Sequence, residues 1–224
     1  MVYDPIWEKV FRNQDWGKYP PEELIRFMAK YYYSVKDRSK INVLEVGCGT
    51  GPNLWYLARE GFTVHGIDGS EYGIKLCRER LDSEVPGWKG SLVVGDITRL
   101  EFREGIFDIV IDNEVIYSNS FEDSIQIYNE INRVLNQNGR LFSKTFAVGS
   151  HGYGTGKKLG HNAFECEVGG ISGKGYSRFT SQDEIKTLLG NRFEIESVEI
   201  SQHSINNQTD MIKEWIIIAN KSYR

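Results

Sequence analysis

Cysteine is scarce in this chain: Cys48, Cys77 and Cys166 are the only three, and no two stand at C-x-x-C spacing. That excludes a disulfide framework and offers no zinc-site pattern, so a reducing compartment and no metal are expected. Clusters of basic residues are also missing, and 27 Lys and Arg are outnumbered by 31 Asp and Glu for a formal net charge of −4. Phosphate-backbone binding draws on grouped cations, so small-molecule partners are expected rather than nucleic acid. No apolar run approaches the roughly 20 residues of a membrane span. Met1 to Trp7 has no basic stretch followed by an apolar core. Neither a membrane nor a secretory address is therefore expected, and the cytoplasm is left. What is present, 40% apolar and 26% charged residues in a chain of 224, suits one large globular domain and excludes collagen-like, disordered and coiled-coil classes. A monomer or homodimer is expected.

Pro20 and Pro21 open a segment whose apolar positions, Leu24, Phe27, Met28, Tyr31, Tyr32 and Val35, follow helical spacing. After a polar break, Ile41 to Val46 is a short apolar run that halts at glycines, the mark of a buried strand. A helix from Pro52 to about Glu60, closed by Gly61, and a strand from Phe62 to Ile67 follow. The alternation continues with a helix from Ser70 to Glu84 and strands at 91–94 and 107–111. A helix from Phe121 to Asn136 starts at Ser120 and is ended by Gly139, and a strand spans 140–146. Ser181 and Glu184 form a capping box for a helix ending at Gly190, and strands at 192–200 and 212–219 close the chain. Seven strands separated by helix-length segments predict a doubly wound α/β fold, mostly parallel and covered on both faces. The glycine-rich stretch 149–175 is too long for an ordinary connection and is expected to be a functional loop or lid, or plain surface chain. Residues 1–40 are expected to form an N-terminal cap on a domain spanning 41–224.

The strongest signal joins the first strand to its helix: Glu45-Val-Gly47-Cys-Gly49-Thr-Gly51. Glycines let backbone turn sharply and approach a ligand at the carboxyl end of a strand, where open sheets form their crevice. The dinucleotide pattern G-x-G-x-x-G, counted from Gly47 and Gly49, would need glycine where Pro52 stands, which weakens a nicotinamide-dependent oxidoreductase reading. Asp68 ends the second strand and can accept from both hydroxyls of a ribose, although an Asp before Gly69 and Ser70 also suits a plain helix cap. Asp96 offers a further carboxylate at the same sheet edge, able to accept from an exocyclic amine or to serve a turn.

These residues carry a family resemblance. Val43 to Gly51, Asp68, Val94-Gly-Asp96-Ile97 and Phe107 to Asn113 resemble the ordered motifs of class I S-adenosylmethionine-dependent methyltransferases of small-molecule type. The resemblance implies a Rossmann-like sheet of seven strands with the last antiparallel, and S-adenosylmethionine as cofactor, with S-adenosylhomocysteine as product. It further implies that Glu45, Gly47 and Gly49 line the methionine end, that Asp68 with Gly69 holds the ribose, and that Asp96 faces the adenine amine with Ile97 on the ring. Asn113 would approach the sulfonium side. Trp7, Trp16 and Tyr19 lie in a segment that commonly folds over the cofactor mouth in this family, where a lid excludes water, though large aromatics also pack as ordinary core.

A sulfonium cofactor supplies most of the reactivity of methyl transfer, so the protein chiefly positions the reactants. Orientation is worth about 7 to 11 kcal/mol in well-aligned cases, and a general base adds roughly 10²- to 10⁴-fold for a hydroxyl acceptor. Candidate groups are Glu114, one residue past the fourth strand, and the loop histidines His151 and His161. The residues after Asn113 lack the two prolines and aromatic residue of base- and amide-modifying relatives, and Ser143-Lys144-Thr145 departs from metal-assisted ones. The expected reaction is transfer to a small-molecule hydroxyl. A cofactor-binding protein without transfer, or one dependent on a partner, is the alternative.

Overall fold

The computed structural model describes residues 4–222; the outer ends of the expected 1–40 and 41–224 segments lie outside the described residues. Two helices open the chain, α1 (Ile6–Asn13) and α2 (Glu22–Tyr32). Strand and helix then alternate: β1 (Asn42–Val46), α3 (Pro52–Arg59), β2 (Thr63–Asp68), α4 (Glu71–Glu84), β3 (Gly90–Val94), β4 (Phe107–Asn113), α5 (Phe121–Val134) and β5 (Leu135–Phe146). Three short strands follow, β6 (Lys157–Gly160), β7 (Ala163–Glu165) and β8 (Tyr176–Arg178), then α6 (Gln182–Leu189) and the long hairpin β9 (Phe193–Ile205) and β10 (Asp210–Lys221).

Among the described residues, seven strands form one sheet in the order β3-β2-β1-β4-β5-β10-β9. The pairings from β3 through β5 are parallel, whereas β10 runs antiparallel to both β5 and β9. Alternation along the strands sorts side chains onto two faces. Val43, Ile109, Ile111 and Phe142 pack with α2, α3 and α4, while Leu44, Val46, Val110 and Leu141 pack with α5 and α6. This is the expected doubly wound arrangement, and its strand order reverses between β1 and β4, which places a crevice at their carboxyl ends. No helix of the described residues is long and apolar enough to cross a membrane.

Three elements depart from expectation. Ile6–Asn13 is helical, with Val10 and Phe11 buried, although its eight residues stand apart from the longer periodic patterns. The helix expected to reach Asn136 ends at Val134, and Gly139 lies inside β5 rather than capping α5. Val134 and Leu135 are both fully buried, so the chain turns extended without a break in apolar pattern for a helix stop to show. The register between β4 and β5 shifts there, with Phe107 facing Leu135 but Ile109 facing Arg140. The stretch 149–175 is also not a bare loop. Its β6 pairs antiparallel with β7, and β7 in turn with β8, around a small core of Phe164, Cys166, Ile171 and Phe179 that reaches Tyr117 and Phe146.

Candidate active site

The β1-to-α3 turn is glycine-built for a steric reason. Gly47, Gly49 and Gly51 have φ of +65°, +50° and +80°, the left-handed region that costs a residue with a Cβ roughly 1–2 kcal/mol. A Cβ on Gly47 would stand 2.2 Å from Val115 Cγ1, so the glycine loop lies directly against the chain leaving β4. Asp68 locks the loop from below: its Oδ2 accepts the Gly49 N–H at 2.8 Å and its Oδ1 accepts the Ser70 N–H at 2.7 Å. Burial raises its pKa, and those two N–H groups oppose the rise. Each carboxylate oxygen can accept more than one donor, so Asp68 retains acceptor capacity toward the crevice.

A cavity opens at this edge. It is lined by Gly47, Asp68, Gly69, Asp96, Ile97 and Asn113, and also by Glu114 and Trp16. These eight residues, all singled out from sequence, are therefore together, and Trp7 joins them. Ile97 presents a buried apolar side chain, and Asp96 keeps an exposed turn in which Oδ1 accepts the Thr98 N–H at 2.8 Å. Asn113 Oδ1 is buried without a hydrogen-bond partner among protein atoms; a buried acceptor left unpaired costs about 1–3 kcal/mol, which makes it an acceptor for a ligand donor. Carboxylates at one end, an apolar wall and an unpaired carbonyl suit a cationic nucleoside rather than a pyrophosphate.

The other expected residues lie elsewhere. Glu45 shares the Val43 face of β1, so its carboxylate points under α3, where Oε1 accepts from Asn53 Nδ2 at 2.5 Å. It is fully enclosed, and burial pushes its pKa to about 8. Gly49 is covered by Phe11, whose Cζ would meet a Gly49 Cβ at 2.9 Å. Tyr19 is 72% exposed and rests edge-on against Trp55 at 5.6 Å. His151 Nδ1 pairs with Asp210 Oδ1 of β10 at 2.8 Å, and His161 stands 3.5 Å from Glu184 with its side chain 82% exposed. None of these five lines the cavity.

Asp4 and Phe11 were not anticipated among the lining residues, whereas Trp7 was expected at the cavity mouth. Asp4, Trp7 and Phe11 roof the cavity from α1 and the chain before it. Trp7, Phe11 and Trp16 form a mutual cluster with ring centroids 5.6 to 5.9 Å apart. The helix is pinned to α4 because Glu8 accepts from the Ser70 hydroxyl, which with burial working against it and the Tyr72 N–H assisting holds its pKa down. The i, i+4 spacing of Trp7 and Phe11 was the available signal.

Glu114 occupies the crevice end of β4 with φ +58°. Beneath it Asp112 fastens the turn, accepting the Val115 and Ile116 N–H groups at 3.1 Å each and the Ser143 hydroxyl at 2.6 Å. Lys144, on β5, donates to Glu114 Oε1 at 2.8 Å and lies 3.0 Å from Glu214 Oε2 on β10. A lysine inside a predicted strand of an α/β sheet covered on both faces was the sequence sign that such a partner existed.

A family model described as a methyltransferase domain matches residues 37–165. The chain is 34% identical over 118 residues to the fatty-acid O-methyltransferase of Mycolicibacterium smegmatis, a match covering 47% of this chain and 42% of that protein. It is 28% identical over 168 residues to the sterol 24-C-methyltransferase of Kluyveromyces lactis, covering 71% of this chain and 43% of that one. The chain thus spans less than half the length of these curated relatives. Its fold is similar to a SAM-dependent methyltransferase of Methanosarcina mazei, with a TM-score of 0.69 at 20% identity over 88% of this chain and 98% of that one.

Proposed function

The chain belongs to the methyltransferase-domain family, and from that membership we propose that it is an S-adenosylmethionine-dependent enzyme moving a methyl group to a hydroxyl oxygen of a small molecule. The observation that carries the reading is one cavity edged by Asp68, Asp96 and Asn113 and bordered by Glu114. Asp68 would take the ribose hydroxyls, Asp96 the adenine amine and Ile97 the face of the ring. The backbone at Gly47 and the Asn113 side chain would meet the methionine portion. The bound cofactor supplies an electrophilic methyl group on a cationic sulfur, which leaves orientation, water exclusion and proton handling to the protein.

Trp7, Phe11 and Trp16 would serve as the roof that keeps water from the reacting atoms, and residues 1–40 would thereby act as the cap on the 41–224 domain. Glu114 is the lining residue suited to accept a proton from an alcohol, because Lys144 anchors its carboxylate at the cavity edge. The named relatives act at oxygen in one case and carbon in the other. The preference for oxygen here rests on Glu114, since a carboxylate within reach of the acceptor assists loss of a hydroxyl proton.

The test begins with calorimetric titration of S-adenosylhomocysteine, with NAD as control. One-to-one binding of the first and none of the second is expected, and binding of NAD alone would overturn the reading. Methyl transfer from labelled S-adenosylmethionine is then compared across matched small alcohols and amines. Transfer confined to amines would overturn the oxygen assignment.

A further inference from the structure

Behind the cavity lies a charge cluster that cofactor binding does not account for. Lys144 has only 9% of its side chain exposed, Glu214 6% and Glu114 31%. The ammonium bridges the two glutamates, one lining the cavity and one enclosed between β5 and β9. With all three ionised the cluster carries an uncompensated negative charge in a poorly solvated place, which is costly unless one carboxyl keeps a proton. Burial first, and then the facing Glu114 carboxyl, raise Glu214 to about 8 against the pull of Lys144. Burial works against the Lys144 charge, but Glu114 and Glu214 outweigh it and raise its pKa. Other charges reach the cluster from each side: Lys174 from the 149–175 segment, Asp112 and Tyr117 from the chain around Glu114, and Glu23 from α2 near Lys144.

We infer that Glu214 and Lys144 are positioning residues for Glu114, and that the proton held within this buried cluster at Glu214 is expelled when a cationic methyl donor enters the cavity. This inference rests on the proposed function, since it takes a sulfonium donor at the β4 end and a hydroxyl acceptor. A positive charge brought to the cavity edge offsets the negative charge of the cluster, so the Glu214 proton leaves to solvent before transfer and is not available to occupy Glu114. The acceptor's O–H proton then goes to Glu114 as oxygen's lone pair bonds the methyl carbon, and the carbon–sulfur pair stays on sulfur. Lys144 keeps the ionised Glu114 directed at the cavity edge while Glu214 tunes its charge from behind.

Donor and product differ by one positive charge on sulfur, which gives the test. S-adenosylmethionine and S-adenosylhomocysteine are each titrated calorimetrically near pH 8 in two buffers of different ionisation enthalpy, and the protons released per binding event are extracted. The wild-type protein releases a larger fraction of a proton with S-adenosylmethionine than with S-adenosylhomocysteine. Glu214→Gln, an isosteric change, abolishes that excess while still binding S-adenosylhomocysteine. Equal release with the two ligands in the wild type, or an undiminished excess in Glu214→Gln, overturns this inference alone. Binding of neither ligand overturns the cofactor reading and this inference with it.

Discussion

Asp68 Oδ2 accepts the backbone N–H of Gly49 at 2.8 Å across nineteen residues of sequence. The carboxylate expected to recognise a ribose is therefore also the clasp that shapes the glycine loop. Its two roles are separable, because loop shape affects stability of the free protein and ribose contact affects only ligand affinity.

Asp68→Ala is expected to weaken S-adenosylhomocysteine binding by about 1–3 kcal/mol, the loss typical of a charged hydrogen-bond partner. It should also lower the thermal midpoint, since the Gly49 and Ser70 N–H groups lose their acceptor. Calorimetry and thermal melts measure the two effects. A variant that melts lower but binds unchanged would remove Asp68 from the ribose.

Gly47→Ala should destabilise the protein by roughly 1–3 kcal/mol through overpacking, because its Cβ would stand 2.2 Å from Val115 Cγ1. Val115→Ala in the same chain should recover the steric part and leave the smaller backbone strain of a φ of +65°. Denaturant melts of both singles and the double close the cycle. Strict additivity would mean that the contact does not limit Gly47.

Stability should fall as pH rises from about 5 to 8. Burial lifts Glu45 from an ordinary 4.5 to about 8, so the native state keeps a proton that the unfolded chain has already lost. The stabilisation is complete below the unfolded value and is lost as pH rises through the folded one, at up to about 1.4 kcal/mol per pH unit for each such proton. Glu214, raised in the same direction, adds to the slope. Glu45→Gln keeps an acceptor for Asn53 Nδ2, places a donor where the unpartnered Oε2 now lies, and should flatten the profile while raising stability at pH 8. Urea melts at pH 5 and 8 provide the measurement, and an unchanged slope would rule out Glu45 as its source.

Ligand binding should perturb the tryptophan emission of the roof. Trp7 and Trp16 line the cavity, whereas Trp55, Trp88 and Trp215 do not. Trp16→Phe should remove much of the emission change on adding S-adenosylhomocysteine. Phe11→Ala, which uncovers Gly49 and breaks the aromatic cluster, should weaken binding. Full retention of the emission change in Trp16→Phe would mean that the roof does not meet the ligand.

Local pattern made much of the architecture legible. The seven strands of the sheet were visible because each carries an apolar or alternating run bounded by turn residues, and the left-handed turn at Gly47 to Gly51 shows in sequence because few other residues fit there. The end of α5 was hidden because apolar character continues across Val134 and Leu135. The sheet within 149–175 was hidden because its strands are three or four residues long and its third strand, Tyr176–Arg178, which pairs with β7, comes from beyond the stretch.

The candidate site divides along the same line. That Asp68, Asp96 and Asn113 meet at one edge follows from their positions at the ends of β2 and β4 and two residues past β3, since parallel strands in a doubly wound sheet bring their carboxyl ends together. Sequence by itself determined the alternating fold, the glycine loop and the carboxylates at the crevice, because each depends on neighbours a few residues away. Tertiary structure alone decided that Glu45 turns under α3, that Phe11 covers Gly49, and that Lys144 bridges Glu114 and Glu214. Those outcomes depend on which face of a strand a side chain takes and on which distant element packs there, and burial obliges an ionisable group either to take the partner that packing supplies or to stay neutral.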